Sequence, residues 1–410
     1  MTISPFCIDV DQSVLDDLSR RLDATRWVDN LGDRGWDHGA SIPYMKELVG
    51  YWRESFDWRA QERTLNAFAN FRATLKGDLG IHFIHERGRG PNPLPIVLTH
   101  GFPDSIVRFT KIIPLLTDPA NHGGDSTDSF DVVAPSLPGY AFSDRVSEAG
   151  GLFHVSGLWH ELMTELGYSH YVAHGGDWGS TITEWLARDH PDNVVAIHLT
   201  DVPFLHSFRK PDDLSHAERK YLDAIAAFQQ KEGAYAIVQG SQPQVVAVGL
   251  NDSPAGLATW IVEKFRRWSD CDGQVERRFT KDELLTNVML YWATETINSS
   301  FLPYYDVTQA GALTWIGQKL KEWKGSSTVP TGFAMFPKDL SSSPREWAER
   351  FFNVQRWTEM DSGGHFAALE EPESLVREIR EFFRPFRTTG NASQTHPRPA
   401  GPLDAGATHQ

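Results

Sequence analysis

The pentapeptide GGDWG at residues 175–179 is the segment whose residue types most directly suggest chemistry. It follows the apolar stretch YVAH and precedes the helix-like stretch STITEWLARD. Small residues around a central side chain permit the sharp strand-to-helix turn, G-x-Nu-x-G, that holds a nucleophile above a sheet. The central residue here is Asp177, and an aspartate carboxylate is ionised at neutral pH, so it needs no base before attacking an electrophile. The alternative is a glycine-rich turn in which Asp177 only caps the following helix.

Two residues further along the chain have the types expected of partners for this nucleophile. Asp339 ends the segment FAMFPKD, and His365 lies in DSGGHFAALEEP, each in a loop after a stretch that looks like a core strand. The order nucleophile, acid, histidine is that of α/β-hydrolases. The sequence therefore predicts a catalytic triad of Asp177, Asp339 and His365.

The segment HGFP at residues 100–103 follows the strand-like LPIVLT and precedes GGDWG, the predicted nucleophile elbow, in the chain. In this fold, the corresponding loop supplies one backbone N–H of the oxyanion hole, and the residue after the nucleophile supplies another. We therefore expect the backbone N–H groups of Phe102 and Trp178 to stabilise negative charge. Taken alone, HGFP could be any turn.

The elements that position these residues alternate between strands and helices. From Leu79 onward, apolar strand-like runs such as FDVVAPSL and VVAIHLT are separated by helix-like runs such as FHVSGLWHELMTEL. This alternation predicts an α/β fold with a mostly parallel central sheet flanked by helices. The expected divisions are a helical N-terminal segment (1–75), the first part of the core (76–202), an inserted helical lid (203–323), the second part of the core (324–387) and a disordered tail (388–410).

Composition narrows the class of protein and its partners. The 410 residues carry a formal net charge of -15 and no run of Lys or Arg, which argues against a nucleic-acid partner. The two cysteines are too few for a disulfide framework and too far apart to bind a metal as a pair. The N-terminus lacks the pattern of a signal peptide, and no apolar run approaches the roughly 20 residues that span a bilayer. We expect a soluble, cytoplasmic protein without a membrane partner.

Several motifs resemble those of the microsomal-type epoxide hydrolase family, including its soluble fungal and bacterial members. They are RGWDHG, YWRESFDWRAQE, HGFPDS, PSLPGYAFSD, GGDWGS, YWATETINSSFLPYY, FPKDL and GGHFAALEEPE. The resemblance extends from about Pro5 to about Phe383. It implies that residues 1–75 wrap the core and the lid, and that the membrane anchor of the mammalian microsomal enzymes is absent.

The resemblance also implies roles for individual residues. Two lid tyrosines of the family hold the epoxide oxygen, and they match Tyr235 in EGAYAIVQGSQPQ and Tyr304 in SSFLPYYD. Tyr305 is a rival for the second position, and both could instead be packing aromatics. Asp201, in HLTDVP, stands where an asparagine is expected, and haloalkane dehalogenases can use an acid near that point, so Asp201 is an alternative to Asp339.

By this resemblance, the protein opens an epoxide to a vicinal diol through an ester on Asp177. Its partners are then a small-molecule epoxide and water, with no metal or organic cofactor, and a homodimer is the expected assembly. The nearest alternative is a haloalkane or haloacid dehalogenase with the same aspartate. A binding protein that kept the hydrolase fold without catalysis is an alternative of a different class.

Overall fold

Nine strands form one sheet in the computed structural model of the chain, which describes residues 2–32, 34–146, 151–209, 211–308, 318–319 and 326–390. The order across the sheet is β1-β2-β3-β5-β4-β6-β7-β8-β9. The strands are β1 (Thr2–Pro5), β2 (Asn70–Leu75), β3 (Leu79–Glu86), β4 (Leu94–Thr99), β5 (Phe130–Pro135), β6 (Tyr171–Gly175), β7 (Val194–Leu199), β8 (Pro330–Met335) and β9 (Asn353–Glu359).

The strands from β5 to β9 across the sheet pair in parallel. Every residue of β5 and of β6 is buried, as expected for strands covered on both faces. Their apolar side chains, among them Val132, Val133, Val172 and Ala173, are fully enclosed. This arrangement confirms the predicted α/β-hydrolase fold.

The other end of the sheet is antiparallel, and the N-terminal segment (1–75), predicted to be helical, contributes two of its strands in addition to three helices. β1 pairs with β2, β2 with β3, and β3 with β5, all antiparallel. All four residues of β1 are exposed, so no buried apolar face marks this strand. Backbone hydrogen bonds to β2 hold it at the edge of the sheet instead.

Helices occupy the connections between strands and much of the N-terminal segment. They are α1 (Gln12–Asp23), α2 (Ile42–Glu54), α3 (Trp58–Asn66), α4 (Ile112–Thr117), α5 (Val155–Glu165), α6 (Trp178–Asp189), α7 (His216–Lys231), α8 (Ala234–Ser241), α9 (Pro243–Asp252), α10 (Pro254–Arg267), α11 (Lys281–Thr294), α12 (Ile297–Ser300), α13 (Leu302–Thr308), α14 (Arg345–Glu349), α15 (Ala367–Glu370) and α16 (Pro372–Phe383).

Helices α7 to α13 lie between β7 and β8 in the chain, in the segment predicted to be a lid. Glu232 and Gly233 separate α7 from α8, and α8 packs against α13. In α11, the side chain of Thr280 accepts the N–H of Glu283, whose side chain in turn accepts the N–H of Thr280. This capping box satisfies backbone donors at the start of the helix.

The N-terminal helices pack against the lid. α1 and α2 contact α10, and α2 and α3 contact α11. Side chains of Asp11, Ser41 and Asp57 cap the starts of the three helices. The N-terminal segment therefore contributes strands to the sheet and helices to the outside of the lid.

A short turn over Arg384–Gly390 extends past the predicted start of the tail, and the remainder of that tail, 391–410, lies outside the described residues. Residues 210, 309–317 and 320–323 of the predicted lid also lie outside them, as do residues 324–325 at the predicted start of the second part of the core. Within the described part of the chain, no single helix has the length and apolar composition to cross a membrane. The one neighbouring pair that meets both criteria together, α9 and α10, is bent by 117°.

Candidate active site

The residues predicted to do chemistry lie in loops at the carboxyl ends of five neighbouring parallel strands. Phe102 follows β4, Asp177 follows β6, Asp201 follows β7, Asp339 follows β8 and His365 follows β9. Carboxyl ends of parallel strands meet at one edge of a sheet, which is where open α/β folds bind ligands. The structure therefore brings together residues that lie up to 263 positions apart, from 102 to 365.

Asp177 has a backbone conformation that non-glycine residues rarely adopt, with φ 60° and ψ -129°. Glycines around it make this turn possible. A β-carbon on Gly179 would collide with the carbonyl of Thr99, and one on Gly101 would collide with the Asp177 carboxylate. The side chain of Asp177 makes no capping hydrogen bond to α6, which removes the interpretation of this residue as a helix cap.

The two carboxylate oxygens of Asp177 have different partners. The N–H of Phe102 donates to Oδ1 over 2.9 Å, whereas Oδ2 lies 3.3 Å from Nε2 of His365. Trp178 opens α6, and among the described residues its N–H makes no hydrogen bond to the carboxylate. One oxygen is thus held by the backbone and the other faces the histidine.

His365 connects Asp177 to Asp339. Its Nδ1 lies 2.7 Å from Oδ1 of Asp339, which also accepts the N–H of Leu340 over 2.6 Å. Burial by itself favours the neutral imidazole, but the charges and hydrogen bonds of Asp339 and Asp177 outweigh it and raise the pKa of His365 to about 10. In the free protein His365 is therefore an imidazolium between two carboxylates.

Asp201 binds the elbow rather than the imidazole. Its Oδ1 accepts the N–H of Asp177 over 2.9 Å and the hydroxyl of Ser180 over 2.6 Å. Burial, followed by the nearby charge of Asp339, raises the pKa of Asp201 to about 7, against the opposing effects of Ser180 and His365. Nδ1 of His365 instead donates its hydrogen bond to Asp339, and Asp201 fixes the backbone of the predicted nucleophile.

Tyr235 and Tyr304 come from α8 and α13 and face the elbow from the lid side. Their ring centroids lie 5.7 Å apart, and the ring of Tyr304 also contacts Trp178 at 5.1 Å and Phe102 at 5.5 Å. Both line the same cavity as Asp177. Tyr305 is not among the described residues that line this cavity, so the geometry favours Tyr304 as the second lid tyrosine.

The cavity between the elbow and the lid has a volume of about 400 Å³. At its base are Asp177, Asp339 and His365, and its walls are mostly apolar, including the side chains of Phe204, Leu205, Phe208, Ile225, Phe228 and Ile237. No lysine or arginine lines it among the residues that the structure describes. Such a site suits a neutral, largely apolar ligand.

Comparisons with known proteins agree with this geometry. Residues 3–109 match the family model described as epoxide hydrolase N terminus, and residues 95–235 match that of the alpha/beta hydrolase fold. A relative from Stigmatella aurantiaca that is named as an epoxide hydrolase is 44% identical over 94% of this chain and 86% of its own length. The chain belongs to the epoxide hydrolase family.

Other members of the epoxide hydrolase family are similar over nearly the whole chain. Epoxide hydrolase 1 of Sus scrofa is 36% identical over 93% of this chain and 88% of its own length. The structure of the Aspergillus niger epoxide hydrolase superposes with a TM-score of 0.80 at 29% identity, covering 94% of this chain and 97% of that one. The lid and the N-terminal segment are therefore shared with the family as well as the core.

A buried ion pair that the sequence did not suggest, between Arg108 and Asp104, connects two loops of the active site. Arg108 donates to the carboxylate of Asp104, which accepts the N–H of Gly101 over 2.9 Å. The same guanidinium donates to the carbonyl oxygen of His365 over 2.8 Å. Arg108 and Asp104 are only 2% and 1% exposed, so this pair ties the HGFP loop to the loop of the histidine. In the sequence, Arg108 has the appearance of an ordinary surface residue.

Proposed function

We propose that the protein is an epoxide hydrolase that converts an epoxide and water to a vicinal diol through a covalent ester on Asp177. The observation that carries this proposal is that a carboxylate nucleophile and two lid phenols face one apolar cavity. An epoxide carbon needs a nucleophile on one side and a proton donor to the departing oxygen on the other. Asp177 would supply the first, and Tyr235 and Tyr304 the second.

In the first step, Oδ2 of Asp177 attacks an epoxide carbon and the carbon–oxygen bond of the ring breaks. Burial, together with the charge of Asp177, raises the pKa of the Tyr235 phenol, and burial also raises the pKa of Tyr304. Both phenols are therefore protonated at neutral pH. They donate hydrogen bonds to the epoxide oxygen, and one transfers its proton as the alkoxide forms.

In the second step, water attacks the carboxyl carbon of the ester. Alkylation neutralises Asp177, so one of the two charges that raise the pKa of His365 disappears and this pKa falls. The imidazolium then releases its proton, the tyrosinate left by the first step takes one up, and His365 becomes a neutral base. His365 then takes one proton from the water, while Asp339 accepts the hydrogen bond from Nδ1 and stabilises the imidazolium. The bond between the carboxyl carbon and Oδ2 breaks, and the second proton of the water passes to the departing alkoxide, which completes the diol. The N–H of Phe102 receives the negative charge that develops on Oδ1.

This cycle regenerates the carboxylate and consumes only water, so its chemistry requires no metal or organic cofactor. The apolar walls of the cavity and its volume of about 400 Å³ favour neutral aryl or alkyl epoxides as substrates. The expected homodimer stays a prediction, which the molar mass measured by light scattering after size-exclusion chromatography tests.

Trapping the ester tests the proposed mechanism. The variant His365→Gln should open styrene oxide once and then gain mass equal to the whole epoxide, located on the peptide containing Asp177 by mass spectrometry. Asp177→Ala is the control and should gain no mass. In a single turnover in ¹⁸O-water, the wild-type enzyme should take up label in Asp177 and release unlabelled diol.

Two results would contradict the proposal. Label that enters the diol directly and never Asp177 would exclude the ester mechanism. Halide release from chloroalkanes, with no turnover across a panel of terminal and aryl epoxides, would assign the site to dehalogenation instead.

A further inference from the structure

Lid helix α11 is hydrogen-bonded to the loop that carries the Phe102 N–H. The side-chain amide of Asn287 donates to the carbonyl of Pro103 over 2.8 Å and accepts the hydroxyl of Ser105 over 2.8 Å. One helical turn further on, the hydroxyl of Tyr291 donates to the carbonyl of Asp104 over 2.7 Å. Residues four apart share a helix face, so α11 presents two polar groups to three consecutive residues of the loop.

These contacts lie in the interior, where they have no competition from water. Asn287 is 1% exposed and Tyr291 is 2% exposed, and the surrounding residues of α11 from Leu284 to Trp292 are buried as well. A buried amide that lacks its hydrogen bonds would cost free energy. The paired arrangement therefore fixes the loop in one position relative to the lid.

The position of the loop matters most for the backbone N–H of Phe102, the residue before Pro103. The N–H of Phe102 is the loop's donor to Oδ1 of Asp177, and an oxyanion-hole donor acts only when it is aimed where charge develops. Asn287 holds the carbonyl one residue later, without touching Asp177. We propose that Asn287 is a positioning residue that sets the aim of the Phe102 N–H and thereby controls the rate of ester hydrolysis. This inference rests on the proposed ester mechanism.

Ester formation and ester hydrolysis depend differently on the orientation of the Phe102 N–H. Oδ1 carries part of the carboxylate charge in the free enzyme, loses it when the ester forms, and regains it in the tetrahedral intermediate. A well-aimed donor therefore accelerates hydrolysis but gives no help to alkylation. Displacing it should slow hydrolysis selectively, whereas general damage to the fold would slow both steps or reduce the active fraction.

The test is Asn287→Leu, which keeps the approximate size of the side chain and removes both hydrogen bonds. Ester formation and ester decay are measured separately on styrene oxide, by rapid quenching and intact-protein mass spectrometry. We expect ester decay to slow by about tenfold to a hundredfold, below the roughly 10²–10³ that loss of an oxyanion donor costs. Ester formation should change less than about threefold, and kcat and KM should fall together.

Thr286→Val is the matched control, because Thr286 precedes Asn287 on α11, is buried, and has a hydroxyl without a hydrogen-bond partner among the described residues. It should leave both rates unchanged. Ser105→Ala keeps the bond from Asn287 to Pro103 and should slow ester decay less than Asn287→Leu. Thermal unfolding and the amplitude of ester formation report the folded, active fraction of each variant.

The outcomes separate this inference from the function on which it rests. If the wild-type enzyme forms no ester with any epoxide of the panel, the proposed function fails. If it does, and Asn287→Leu leaves ester decay unchanged or slows formation and decay equally, Asn287 does not position the oxyanion donor. If Asn287→Leu folds too poorly to assay, Tyr291→Phe is the second variant. We expect it to slow ester decay more than ester formation. Equal slowing of both steps would contradict the inference.

Discussion

Nε2 of His365 lies 3.3 Å from Oδ2 of Asp177, the oxygen that the backbone does not hold. Together with the charge of Asp339, which is the larger cause, this contact raises the pKa of His365 and favours the imidazolium in the free enzyme. It also places the histidine beside the atom that would carry the alkyl group. The protonation state of His365 therefore depends on whether Asp177 is free or esterified.

Replacing Asp177 by Asn mimics the neutral ester and should lower the pKa of His365. The raised pKa of about 10 means that wild-type His365 keeps its proton below that pH. Loss of one neighbouring anion should lower this pKa by about one to three units. NMR titration of the imidazole in the wild-type and Asp177→Asn enzymes measures the shift, and ester decay should rise with pH around the lower of the two values. Equal titration midpoints would contradict this account.

Asp201→Asn should stabilise the enzyme at alkaline pH. The pKa of Asp201 is raised to about 7 from 3.8, so the folded state holds a proton that the unfolded state has lost. The contribution of Asp201 to the free energy of unfolding is therefore largest below about pH 3.8. It decreases as the pH rises and is lost once the pH passes 7. The asparagine can still accept the hydrogen bonds from Asp177 and Ser180.

We expect a gain of about 1–2 kcal/mol in the free energy of unfolding at pH 8 and little gain at pH 4, measured in urea. Exposed Asp223, on α7, is the comparison, because Asp223→Asn should change stability by less than about 0.5 kcal/mol at either pH. A gain for Asp201→Asn that is the same at both pH values would contradict the linkage.

Gly101→Ala should abolish most of the activity while the enzyme remains folded. The added methyl group would collide with the carboxylate of Asp177, and a displacement of about 1 Å at a reacting group can cost about 10²-fold in rate. We expect kcat/KM to fall at least about a hundredfold. In contrast, Gly157→Ala, exposed on α5 with open space around its α-carbon, should keep full activity and gain about 0.5–1 kcal/mol. Full activity of Gly101→Ala would show that the approach of the loop to Asp177 is not required.

Arg108→Met should be among the more destabilising substitutions near the site. It leaves the carboxylate of Asp104 buried without its partner, which costs about 3–5 kcal/mol. The double variant with Asp104→Asn removes the unpaired charge and keeps an acceptor for the N–H of Gly101, so stability should recover in part. Urea unfolding of the two single variants and the double variant measures the coupling, and strictly additive losses would contradict the ion pair.

The sequence was sufficient to predict that the triad residues meet in space, because sheet geometry places their loops together. Once parallel strands were expected, the loops containing Asp177, Asp339 and His365 had to lie at one edge. The position of HGFP after the strand-like run LPIVLT, together with the α/β-hydrolase pattern, also indicated the oxyanion loop at residues 100–103. These predictions needed only local patterns and the order of elements.

What the sequence did not indicate depends on contacts between distant parts of the chain. Asn287 follows Thr286 in the otherwise mostly apolar run LLTNVMLYW, and its partner Pro103 is 184 positions away. Arg108 and the carbonyl of His365 are 257 positions apart. Strand β1 is exposed throughout, so no pattern of burial marks it. Polar contacts of this kind leave no periodic signal.

Helix α11 belongs to the lid by chain order but is bonded to the core at Pro103, Asp104 and Ser105. An engineer who grafts a relative's lid onto this core to change its substrate range would also exchange the groups that brace the core loop. Helix α8, which carries Tyr235, has no such bonds to that loop among the described residues. The segment just before α11 is bonded to the core as well, since the carbonyl of Trp268 accepts the N–H of His365 over 2.8 Å. Recombination that keeps this segment, α11 and Tyr235 native and varies the rest of α7 and α8 would alter the pocket and leave these bonds in place.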